Sequence, residues 1–171
     1  MAKFIGVNDT DVSRLQNDRS QYGYLMAEIT TGILDAVLAS GFSPNNIYLF
    51  CGSPAWQNDV DFGISRGVTK FYIDEPIQKG LQQIVRDAVP YIAEHGGTLT
   101  ISEAYFNCFN WYLLGRRGYI GDMIDLALSV SPSPFVSCHT HFTSCFWHDT
   151  DPRDQWTYMM GRVPGLFKMA W

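Results

Sequence analysis

The sequence predicts one α/β domain over residues 1–171, a compact or incomplete (β/α) barrel with parallel strands; the alternative is an open doubly wound parallel sheet. Two observations carry this class. β-rich runs recur between helical stretches, at Phe4–Asn8, Asn46–Cys51, Lys70–Asp74, Thr98–Ser102, Met123–Ser129, Phe135–His141 and Leu166–Trp171. Several end in chemically capable groups: Asn8-Asp9, Cys51-Gly52-Ser53, Asp74-Glu75-Pro76, Ser102-Glu103 and His139-Thr140-His141. Sites in α/β proteins are built at the carboxyl ends of parallel strands, so polar ends converging on one mouth favour a ring. The length of 171 residues pulls toward the open sheet, because closed barrels usually need about 250.

Taken in order, Phe4–Asn8 opens as a strand. Ser20–Ala39 places Tyr22, Met26, Ile29, Ile33, Leu34, Val37 and Leu38 at helical spacing, with Gly41 as a stop. Asn46–Cys51 is apolar without alternation, as in a strand covered on both faces. A short helix fits Trp56–Arg66, ending at Gly67. Val68–Asp74 returns to strand character. Pro76 then opens a helix with apolar Leu81, Ile84, Val85, Ala88, Val89 and Ile92, kinked at Pro90 and ended by Gly96-Gly97. With Thr98–Ser102 this makes a β-α-β unit. Phe106–Leu114 reads as an aromatic helix, and Met123–Ser129 and Phe135–His141 as strands with no helix between them. Thr150 or Asp151 caps a last helix, and Leu166–Trp171 closes as a strand.

Composition narrows the partners. Charged residues are 17% and aromatics 15%, against about 25% charged in an average domain, so much of the surface is neutral polar or aromatic. Such a surface suits a small-molecule or oligosaccharide substrate, or burial against another copy in a homo-oligomer. A net charge of −5 with no basic cluster longer than Arg116-Arg117 argues against nucleic acid. No apolar run approaches the ~20 residues that span a bilayer, and Met1–Asp9 has no signal-peptide pattern. The expected location is cytoplasmic, or that of a protein released or carried in a particle, with no membrane partner. Cys51, Cys108, Cys138 and Cys145 form no CxxC pair and read as reduced, buried thiols.

The first candidate site is a set of carboxylates. Asp74 and Glu75 end one strand and Glu103 the next strand of the same β-α-β unit, and neighbouring strands lie about 4.8 Å apart. Two carboxyls so placed suit glycoside hydrolysis, in which one is a protonated acid and the other an ionised nucleophile or base. Unequal desolvation beside Tyr72, Tyr105 and Phe106 would separate their proton affinities. The plainer reading of Asp74-Glu75-Pro76 is a helix N-terminus, with Asp as cap. Asn8, Trp56, Tyr105, Trp147 and Trp171 are candidate substrate contacts; most such Trp side chains belong to a core or its edge.

The run Phe71-Tyr72-Ile73-Asp74-Glu75-Pro76, with Gly67 before it, resembles the strand-end Asp-Glu-Pro of glycoside-hydrolase-like (β/α) barrels. Phe167-Lys168-Met169-Ala170-Trp171 resembles their terminal strand, whose Trp often floors the sugar site. The resemblance implies hydrolysis of a glycosidic or similar neutral polar substrate by Asp74 or Glu75 with Glu103. His139 and His141 are expected to orient the substrate or stabilise the transition state, and no cofactor is expected.

A second constellation surrounds Cys138-His139-Thr140-His141. Alternation puts His139 and His141 on one strand face, where they can offer two imidazoles to one metal. His148 and Asp149 could complete a site for a divalent ion such as zinc, with a position left for water. This HxH resembles that of metal-dependent hydrolases of the amidohydrolase type. A non-enzymatic binding or assembly subunit is the remaining alternative. No glycine-rich phosphate loop or GxSxG elbow occurs, which disfavours nucleotide cofactors and a serine nucleophile.

Overall fold

The computed structural model describes residues 3–6, 25–104 and 118–139, with the side chains of 29–103 and 121–136. Six strands lie in it: β1 (Lys3–Gly6), β2 (Leu25–Ile29), β3 (Ile47–Phe50), β4 (Lys70–Asp74), β5 (Thr98–Ala104) and β6 (Phe135–His139). Four helices connect them: α1 (Thr31–Ala39), α2 (Trp56–Ser65), α3 (Gln82–Glu94) and α4 (Gly118–Leu128). All five strand pairings are parallel, and the order across the sheet is the order along the chain. The described sheet therefore contains no reversal of strand order, the feature that defines the site of a doubly wound sheet.

The helices line one face. Ile33, Leu34 and Val37 of α1, Val60 of α2, Val85, Ala88, Val89 and Ile92 of α3, and Met123, Ile124 and Ala127 of α4 are buried at helical spacing. They meet Ile47, Leu49, Phe71, Ile73, Leu99, Ile101 and Val136 in one core. At Gly63 the backbone of α2 comes so near the sheet that a Cβ would lie 2.6 Å from Leu49 Cδ2 and 2.9 Å from Phe71 Cε1. Only glycine permits that approach. The opposite face carries Tyr48, Tyr72, Thr100 and Ser102, and these too are buried.

Three expectations are corrected. Residues 20–39 are not one helix: Leu25–Ile29 is a strand paired with both neighbours, and α1 begins at Thr31 after the extended Thr30. Ile29, Thr30 and Thr31 are β-branched in succession, which disfavours helix at that point. Met123–Ser129 is not a strand but the end of α4, because Met123, Ile124 and Ala127 follow the period of a helix. That helix is the crossover expected to be missing before β6. Finally, Pro76 does not open α3: residues 76–80 form turns and the helix starts at Gln82 with Leu81 at its N-cap position, so Asp74 is not the cap of that helix. Strand β1 ends at Gly6; Asn8, the Phe106–Leu114 helix, the capped helix after Thr150 and the strand Leu166–Trp171 lie outside the described residues.

Candidate functional site

Register brings the predicted carboxylates to one rim. Asp74, the last residue of β4, stands opposite Ser102 of β5, and Glu103 follows next along β5. Alternation then separates them: Asp74 and Ser102 share one face, whereas Glu103 shares the other with Ile101. Between the two, the chain after β4 folds into a compact turn. The Glu75 N–H donates to the Ser102 carbonyl at 2.6 Å, the Lys79 N–H to the Glu75 carbonyl at 2.9 Å, and the Leu81 N–H to the Pro76 carbonyl at 2.7 Å. The first of these bonds holds Glu75 at φ 49°, in the left-handed region, which costs a side-chain-bearing residue on the order of 1 kcal/mol or more.

Lys79 is the cation of the site. Its Nζ lies 3.0 Å from Asp74 Oδ2 and 3.3 Å from Glu75 Oε2. Burial pulls the ammonium down, but the hydrogen bond and charge of Asp74, joined by those of Glu75, outweigh it and hold the group above its ordinary value. Gln78 Nε2 donates to the same Glu75 oxygen at 3.4 Å.

Glu103 is fully enclosed, with 0% of its surface exposed. Its Oε1 accepts the main-chain N–H of Ile77 at 2.7 Å and, more weakly, that of Gln78 at 3.4 Å. Its Oε2 is buried and has no hydrogen-bond partner among the described residues. Burial pushes the carboxyl from 4.5 to about 7; the two main-chain bonds pull it down, and the charges of Glu75 and Asp74 push it further up. Because both N–H groups point at Oε1, that atom acts as acceptor, and the proton of the neutral form belongs on Oε2.

The remaining candidates are dispersed. Trp56 begins α2 and packs edge-on to Tyr91 of α3, with centroids 5.4 Å apart at 84°, a contact within the helix layer. His139 ends β6 opposite Ala104, one register step beyond Glu103 and Cys138. Tyr105, His141, Trp147, His148, Asp149 and Trp171 lie outside the described residues, as does Asn8. Among the described residues no three His, Cys, Asp or Glu side chains are placed to hold a metal ion. Cys51 is buried and reduced, and burial pushes its thiol up, so it is no nucleophile.

A pocket of about 160 Å³ opens elsewhere, lined by Val89 and Ala93 of α3, Thr98 and Leu99 of β5, and Pro134 and Phe135. It sits at the amino ends of the strands, opposite the carboxylates, and none of its walls is titratable. Comparison with family models, with curated proteins and with solved structures finds no match.

Lys79 and the main-chain donors of Ile77 and Gln78 were not among the residues singled out from the sequence. The spacing of Lys79, four residues after Glu75, was the available signal. The donors had none, since they depend on how the turn folds back over β5.

Proposed function

We propose that this chain is a small hydrolase of the (β/α)-barrel type that cleaves a glycosidic or similar neutral polar bond. Glu103 is its proton-transfer group, and Asp74, or Glu75 beside it, is the partner carboxylate. The observation that supports this most is Glu103 itself: an enclosed carboxyl held near neutrality, with one oxygen committed to the main chain and the other left without a partner. A general acid works best when its proton affinity lies near the working pH. Lys79 balances the charge of the other two carboxylates. The barrel is supported by the unreversed strand order and by the burial of Tyr48, Tyr72, Thr100 and Ser102 on the face away from the helices, which a sheet curled on itself provides.

In this reading substrate displaces the turn after β4, since Glu103 is enclosed beneath it; Oε2, protonated while covered, then gives its proton to the leaving oxygen, and Asp74 or Glu75 at the shared rim attacks the sugar carbon or activates water. The test is turnover of a panel of aryl glycosides by the wild-type chain, Glu103→Gln and Asp74→Asn. Loss of turnover by a hundredfold or more in both variants, with unfolding unchanged for Asp74→Asn, is the expected result. Full activity in Glu103→Gln leaves that residue only as a tether for the turn after β4.

A further inference from the structure

We propose that residues 75–81 form a lid over the end of β5, with Glu103 as its catch, and that the charge on this carboxyl decides whether the lid stays shut. The geometry carries this independently of any hydrolytic role. Shut, the lid ties two of its main-chain N–H groups to Oε1 and lays the partly buried Ile77 against the core, while Oε2 is cut off from water with no partner among the described residues. A neutral carboxyl tolerates that enclosure far better than a carboxylate, whose bare oxygen recovers solvation only when the cover lifts.

Residues in the left-handed region bracket the moving piece. Glu75 stands at one end with φ 49°, and Gly80 at the other with φ 70°, where nothing lies within 4 Å of the place a Cβ would occupy. Gly80 thus faces open space on its Cβ side, while its N–H donates to the Ile77 carbonyl within the turn at 3.3 Å. The bond from Lys79 N–H to the Glu75 carbonyl holds the turn together, and the ion pair from Lys79 to Asp74 tethers it to the end of β4. Among the described residues, the charges that act on Glu103 are those of Glu75 in the lid and Asp74 on β4, both paired with Lys79. Strand β6 sets Cys138 opposite it in register. The helices packed on β5 carry Arg86, Asp87 and Glu94 on α3 and Asp122 and Asp125 on α4.

Direction follows from the same placement. Shutting the lid raises the proton affinity of Glu103 above its value in water, so protons favour the shut form and rising pH favours the open one. Hydrogen exchange on the full chain, read at the Ile77 and Gln78 amides against Ile73 in β4, tests it without substrate. With intrinsic rates divided out, protection of Ile77 should fall by roughly ten- to a hundredfold between pH 5 and pH 8, while Ile73 stays constant. In Glu103→Gln, Ile77 should keep its protection at both pH values. Protection of Ile77 that does not change with pH in the wild-type chain overturns the proposal, and that measurement decides even if the variant fails to fold. Because exchange needs no turnover, a shut-and-open lid in a chain without glycosidase activity would separate this inference from the hydrolytic reading.

Discussion

Replacing Glu103 by Gln should make the protein more stable relative to wild type as the pH rises. The wild-type side chain is shut away with one bare oxygen, and its carboxyl moves from 4.5 to about 7 on folding. A raised carboxyl contributes stability in full below 4.5, where folded and unfolded chains are both protonated. That contribution is lost as the pH climbs through about 7. At about 1.4 kcal/mol for each pH unit, the loss comes to about 3 kcal/mol. Glutamine is nearly the same shape, can accept the Ile77 and Gln78 N–H bonds through its own carbonyl, and does not titrate. The difference in unfolding free energy between variant and wild type therefore isolates this one group from every other carboxylate. Urea unfolding at pH 5, 6, 7 and 8 should show that difference growing by about 2.5 kcal/mol in favour of the variant, the part of the loss that falls inside this window. A difference that stays flat across this range would mean that Glu103 does not gain a proton on folding, and the account of its enclosure would be wrong.

Further outcomes follow from the packing and the site chemistry. Gly63→Ala should destabilise by about 1–3 kcal/mol by overpacking against Leu49 and Phe71, although Gly→Ala inside an exposed helix stabilises by about 1 kcal/mol; thermal unfolding decides the sign. Cys51 should resist a thiol-labelling reagent at pH 8 in the folded chain and react on denaturation, which mass spectrometry reads directly. Chelation with EDTA should leave the unfolding temperature unchanged, with metal content well below one equivalent by elemental analysis; a stoichiometric metal would move the site to His139 and its neighbours.

Local sequence carried the fold where periodicity and punctuation agreed. Strand β4 and helix α2 were legible because Lys70–Asp74 carries Phe71, Tyr72 and Ile73 in succession, and Gly67 stops the helix before it. Where two periods fit the same residues, as in Met123–Ser129, a short apolar run could not be told from a buried strand. The rim shared by Asp74 and Glu103 followed from the β-α-β unit alone. Their opposite faces follow only from the register of Asp74 on Ser102. The left-handed Glu75, the Lys79 clamp and the donors on Glu103 depend on a turn folding back across a neighbouring strand, which no spacing in the chain announces.

The unreversed strand order also has a meaning for how the chain assembles. Each described strand pairs with the one made just before it, across a separation of roughly 20 to 35 residues, a low contact order for a parallel sheet. During synthesis, β3 through β5 can dock as they emerge, without waiting for a distant partner. A polypeptide interrupted after β5 would already hold the four pairings described among β1 to β5.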